Sequence, residues 1–277
     1  MRERSIGALA LAGAAALALL GVLASPAAAQ AAKVPRAHGN AALDTLPDWS
    51  GVWSPDWSLL FGTGPARTPP VTPKLTPAAQ ARLDAFKKKQ AEHGVDQTAQ
   101  VLCLPPGMPG IMRQPYPIEF IYSPGRVTLF AETYSQARRI YTDGRALPED
   151  PDPYFNGNSV GHWQGDALLV DTVGFAPTSA EIGAGIPHGE NMKIHEKIWL
   201  DKPGVMRIET TITDPDVLTA PYVQQLAYKK EPDWQIREYV CEENNRLRPD
   251  ESGANIDLGL DDPDKPDPFA AADDKEP

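Results

Sequence analysis

The sequence predicts an all-β fold: an antiparallel meander closing into a lipocalin-like barrel, preceded by a Pro-rich arm and one helix. Three observations carry this expectation. Between about residues 117 and 243 apolar residues recur at every second position, the period of a half-buried strand. Turn chemistry breaks that run at hairpin intervals, at Pro124-Gly125, Asp143-Gly144, Gln164-Gly165-Asp166, Pro203-Gly204 and Pro232-Asp233. No helical pattern of crossover length falls between the strands, and a meander of this length removes its exposed edges by closing on itself. Such a barrel has room for one small ligand.

The elements follow in chain order. Residues 1–29 place Arg2 and Arg4 before an apolar run and end with Ala27 and Ala29 in A-x-A spacing. That is the pattern of a cleavable signal peptide, which implies a periplasmic or secreted location with no stable membrane insertion. Residues 30–97 form an arm plus a helix. In the arm, Trp49, Trp53 and Trp57 lie among prolines and glycines. They are expected to staple an extended segment onto the β-domain. "LTPAAQARLDAFKKKQAEHG" reads as the helix. Thr76 is its N-cap, Pro77 its first residue and Gly94 its end, with Ala79, Leu83 and Phe86 on one face.

The barrel domain is expected over 98–248, with strands at 118–123, 126–133, 137–142, 158–163, 167–173, 191–200, 205–213, 222–230 and 234–241. Residues 249–277 carry ten acids against two lysines, a net −8 out of the whole chain's −11. Five prolines and few apolar residues make this a disordered acidic tail. The remaining charge is nearly balanced, so no nucleic-acid partner is expected. The two cysteines, Cys103 and Cys241, are expected to form a disulfide in an exported chain.

Strand phase selects candidate functional residues, because alternate side chains share a face. In "MKIHEKIWL", Glu196 is in step with Met192, Ile194 and Ile198. In "WQIREYV", Glu238 is in step with Trp234, Ile236 and Val240. Arg138 is in step with Ile140, Arg139 with Tyr141, and His162 with Val160. A charge among apolar neighbours has to be paired, hydrogen-bonded or neutralised. Glu196, Glu238, His162 and Arg138 are therefore expected to meet inside the barrel as an acid–base site, or to form a structural ion-pair network.

Tyr141, His188 and His195 are candidate ligand-binding residues. His188, Glu190 and His195, with His162, form a looser candidate for a divalent metal, although their spacing matches no specific motif. No nucleophile elbow or phosphate-binding glycine loop occurs, and no cofactor is expected. The function these residues suggest is a cofactor-independent lyase or isomerase acting on a small, partly apolar or aromatic molecule. The alternatives are a non-catalytic carrier of such a molecule and a metal-dependent hydrolase.

From Cys103 to Arg246 the segments "CLPPGMP", "SPGRVTLFAE", "RRIYTDGR", "GHWQGDALLVDTVGF", "HGENMKIHEK", "TITDP" and "REYVCEENN" resemble a widespread family of secreted bacterial proteins. The "PDWSGVW" arm fits the same family. The resemblance implies secretion and a shared β-domain. This chain departs from the family pattern at "ENMKIHEK", where Lys193 stands at the usual histidine and His195 follows two places later. Glu196 keeps the pattern.

Overall fold

Burial alternates residue by residue along the strands. In β3 (Arg126–Ala131), β6 (Ala167–Val173) and β10 (Val205–Thr213) every second side chain is buried, and β9 (Lys193–Lys202) keeps the same phase from Lys193 to Ile198. This is the period read from the sequence, now placed on one interior. The computed structural model describes residues 41–56, 71–96, 98–177, 181–241, 248–249 and 256–257. The signal peptide expected at 1–29, Trp57 and most of the acidic tail lie outside these residues.

Nine strands close a barrel. Around the circumference it runs β1 (Val52–Pro55), β11 (Tyr222–Glu231), β10, β9, β6, β5 (Asn158–Gln164), β4 (Gln136–Tyr141), β3 and β2 (Ile118–Ser123), which returns to β1. A short hairpin of β7 (Glu181–Gly183) and β8 (Ile186–Pro187) lies outside this sequence of strands.

Three features differ from the sequence expectation. The first is the ninth strand. It is not 234–241 but Val52–Pro55 of the arm, which pairs with β11 on one side and β2 on the other. With that place filled, residues 235–240 have no strand to join. They cross the β3–β4 corner instead, where Ser135 Oγ donates to the Tyr239 carbonyl at 3.2 Å and Arg237 N donates to Glu132 Oε2 at 2.8 Å. Second, the barrel is mixed: β4 and β5 run parallel, and the segment 142–157 connects them. Third, β12 (Arg248–Pro249) pairs with β13 (Ile256–Asp257), so the start of the acidic tail has paired backbone.

The arm's tryptophans are staples, as expected. Trp49 and Trp53 are fully buried, and Trp53 Nε1 donates to the Trp49 carbonyl at 2.9 Å. Trp49 packs on Phe120 and Trp163, with ring centroids 5.2 and 4.9 Å apart. The helix spans Pro77–His93, with Thr76 Oγ1 accepting from Ala79 N and Gly94 N donating to the Gln90 carbonyl. Its face toward the rest of the molecule is Ala79, Leu83 and Phe86. Cys103 and Cys241 form a disulfide, with Cα atoms 5.7 Å apart. No helix among the described residues is long and apolar enough to cross a membrane.

The interior is filled by side chains. Ile118, Leu129, Ile140, Leu168, Val170, Ile194, Ile198, Ile208 and Ile212 are essentially inaccessible and belong to one core with Met108, Met112 and Ile182. Gly161 is part of this packing. A Cβ there would lie 2.9 Å from Ile140 Cγ2 and 3.2 Å from Leu168 Cδ1. Buried side chains thus line the barrel interior.

Candidate functional site

β4 and β5 meet over only two residue pairs, Ile140 with Ser159 and Tyr141 with Val160. Before that point β4 faces the irregular segment 154–157, and the wall parts. A cleft of about 580 Å³ opens there. Arg138 and Ser159 line it where it reaches the buried layer. Arg139, Arg145, Tyr141, Tyr154 and Phe155 line it nearer the surface, and buried Asn156 also borders it.

Arg138 is 2% exposed and Glu196 is 0% exposed, and the two form a buried ion pair. Arg138 Nε donates to Ser159 Oγ at 3.2 Å and Nη2 donates to Thr172 Oγ1 at 2.9 Å, while the two hydroxyls lie 2.9 Å apart. Four strands therefore supply one polar layer: β4 gives Arg138, β5 gives Ser159, β6 gives Thr172 and β9 gives Glu196. Tyr228 of β11 is buried, donates to the Met112 carbonyl at 2.6 Å, and has its phenol pKa pushed up by burial and by nearby Glu196. Two atoms of the layer have no protein partner, Arg138 Nη1 and Glu196 Oε1.

At the cleft's outer wall the Arg145 guanidinium stacks 3.8 Å above the Tyr141 ring. It also grips Asp143, with Nε at 3.0 and 3.1 Å from the two carboxylate oxygens and Nη2 at 2.6 Å from Oδ2. These hydrogen bonds hold the Asp143 carboxyl below the ordinary carboxylate range. Arg139 is exposed and, among the described residues, takes part in no ion pair. Asn156 is nearly buried. Its Nδ2 donates to Gln136 Oε1 at 3.1 Å, and Gln136 Nε2 in turn donates to the Tyr134 carbonyl at 3.2 Å.

The sequence candidates separate into two groups. Arg138 and Glu196 come together as expected, and Tyr141 lines the cleft. Glu238 does not join them: it is exposed in the segment that crosses the β3–β4 corner. His162 is also exposed. Its phase with Val160 was read correctly, but that face looks outward, and the inward residues of β5 are Ser159, Gly161 and Trp163. Apolar Val160 gave the wrong side because small Ser159 and Gly161 are what the space beside Ile140 and Leu168 admits.

His195 lies on the outer face of β9, its Nδ1 2.7 Å from Asp171 Oδ1, with both side chains about half exposed. His188 has Nδ1 2.6 Å from the Gly189 carbonyl and Nε2 3.1 Å from the Ala176 carbonyl, and does not line the cleft. Glu190 is exposed. Among the described residues no three His, Cys, Asp or Glu side chains converge in a way that would hold a metal.

Sequence reasoning missed Ser159, Thr172, Asn156 and Arg145. Ser159 and Thr172 are in phase with buried neighbours and were findable by the argument that found Glu196. Asn156 and Arg145 sit in irregular segments, where period carries no information.

Comparison with known proteins adds little to this geometry. No family model matches the sequence, and no curated protein matches it. Among solved structures, a secretary abundant heat soluble (SAHS) protein from Ramazzottius varieornatus is similar at 10% identity and a TM-score of 0.31. The match covers 66% of this chain and 95% of that one. At that score no functional argument follows from it.

Proposed function

We propose that this chain is an exported small-molecule-binding barrel whose ligand occupies the wall cleft between β4 and β5. One observation carries the reading. Buried side chains occupy the interior, while the short parallel pairing leaves a recess of ligand size lined by Arg138, Arg139, Arg145 and the aromatic rings of Tyr141, Tyr154 and Phe155. The disulfide fits an oxidising compartment. Binding is preferred to acid–base turnover because His162 and Glu238 are exposed to solvent, away from Glu196, and Glu196 itself is engaged in a buried ion pair with Arg138.

A thermal-shift screen with small aromatic acids, alcohols and amides tests this. At a hundredfold excess over Kd, a ligand specific to the folded state stabilises it by about 2.7 kcal/mol. The expected result is a set of compounds that raise the melting temperature of the wild-type protein and not of the Arg139→Glu/Tyr154→Ala variant. Equal shifts in both proteins, or none in either, sink the reading. Conversion of a bound compound to a new product in the same samples would replace carriage by catalysis.

A further inference from the structure

Resting on that reading, we infer that the cleft takes a planar aromatic monoanion at its mouth: the ring stacks on the Arg145 guanidinium and the acid group pairs with Arg139. Every side chain this needs is open to solvent and lines the cleft. Arg139 and Arg145 are exposed, and Tyr154 beside them is 54% exposed. The ring site is already assembled. The Arg145 guanidinium lies 3.8 Å above the Tyr141 ring, and Asp143 grips its Nε and Nη2 through both carboxylate oxygens. A guanidinium forked onto a carboxylate in this way has its plane fixed. Its side chain is still 50% exposed. One face rests on Tyr141 and one edge on Asp143, which leaves the opposite face for a ligand. A flat ring laid there extends the stack that Tyr141 begins. Because the platform is held in place beforehand, binding spends little ordering entropy on it.

The charge site is its neighbour on the same strand. Arg139 and Tyr141 are two residues apart on β4, so their side chains leave one face of the strand about 6.6 Å apart. A single-ring acid spans that interval, with its ring beside the Tyr141–Arg145 stack and its carboxylate toward Arg139. The count of charges fixes the ligand as a monoanion. Arg138 is neutralised by Glu196 and Arg145 by Asp143. Arg139 has no acidic partner among the described residues, and no Asp or Glu among them lines the cleft. The acids of the return segment, Glu149, Asp150 and Asp152, are exposed and stand outside the lining. One positive charge is therefore left for the ligand to match. Arg139 is exposed, so a carboxylate beside it keeps much of its water and the gain is modest, about fivefold at most.

The test is calorimetric titration of the full-length protein with benzoate, cyclohexanecarboxylate and benzamide. The first two share a charge and differ in the flat ring; benzoate and benzamide share the ring and differ in charge. Benzoate should bind about threefold to fivefold tighter than either. Arg145→Lys keeps the charge and removes the planar face. It should erase the preference over cyclohexanecarboxylate and keep the preference over benzamide. Arg139→Gln should do the reverse. High salt should shrink only the preference over benzamide, since the Arg139 contact is exposed. Equal binding of all three ligands by the wild-type protein overturns the inference and leaves the cleft standing. So does a preference that neither substitution moves. Absence of binding by all three, with other compounds stabilising only the intact cleft in the screen, overturns the ligand class alone. Absence in both experiments overturns both.

Discussion

Arg138 and Glu196 show how far one residue pair reaches through this molecule. The guanidinium ties β4 to β5, β6 and β9 in a single layer, and Glu196 is the only carboxylate it meets there among the described residues. Removing one charge of a fully buried pair leaves the other uncompensated, which costs about 3–5 kcal/mol. Glu196→Gln should lower the unfolding free energy by that amount in urea titration. The double change Arg138→Met/Glu196→Leu should recover most of it, because two apolar side chains leave no buried charge and the Ser159 and Thr172 hydroxyls still pair with each other. A double variant as unstable as the single one would show that the polar layer is needed for packing as well as charge balance. The pair was legible in the sequence for the same physical reason: a charge in step with isoleucines at period two has nowhere to go but inward. His162 was equally in step with its neighbours, yet phase tells only which residues share a face and not which face is inside. On β5 the inward position Gly161 is small because Ile140 and Leu168 already fill the space beside it.

At the level of elements, the strands with long alternation were legible, whereas β1 and the parallel pairing of β4 with β5 were not. β6 and β10 match the expected ranges residue for residue, because seven or more alternating positions leave little choice of register. β1 has four residues, all buried, within a Trp- and Pro-rich arm, and a strand buried on both faces shows no alternation. The parallel approach of β4 to β5 left no trace either, since it depends on how residues 142–157 return and not on either strand's own pattern.

β1 is also where pH should act. Glu231 accepts from Ser54 Oγ at 2.6 Å and pairs with Lys229 at 2.9 Å, so its carboxylate latches β1 to β11. First the Ser54 bond and then Lys229 hold its pKa below the ordinary value of 4.5. The unfolded chain therefore binds this proton more readily. The latch is fully present above about pH 4.5 and is lost as pH falls through the lower folded value. In a carboxyl NMR titration, Ser54→Ala should move Glu231 upward toward the ordinary value and flatten the acid side of the stability profile. An unmoved Glu231 would mean that Ser54 contributes nothing to the latch.

For the whole molecule, the Cys103–Cys241 bridge encloses ten of the eleven strands from β1 to β11 in a loop of 138 residues and leaves only β1 outside. Its two ends come from segments with little structure of their own. Cys103 follows the short helix Thr98–Val101, and Cys241 ends the segment that crosses the β3–β4 corner. On that corner Tyr239 packs against Tyr134 and Tyr116 at centroid distances of 5.0 and 5.6 Å. The bridge and the tyrosines thus hold the same segment by different means. The tyrosines act on the folded state through contact. The bridge acts on the unfolded chain by restricting it, which for a loop this long corresponds to about 5 kcal/mol in the chain-entropy treatment. At roughly 2–4 °C per kcal/mol for a domain of this size, the Cys103→Ser/Cys241→Ser protein should melt about 10–20 °C lower. Its far-UV circular dichroism and its cleft binding at low temperature should be unchanged, because the barrel closes through β1, β2 and β11 without the bridge. If binding disappears together with the bridge, the tyrosine contacts cannot hold the corner alone, and the β3–β4 end of the cleft depends on the covalent link. In that case the ligand site would exist only where the chain is oxidised.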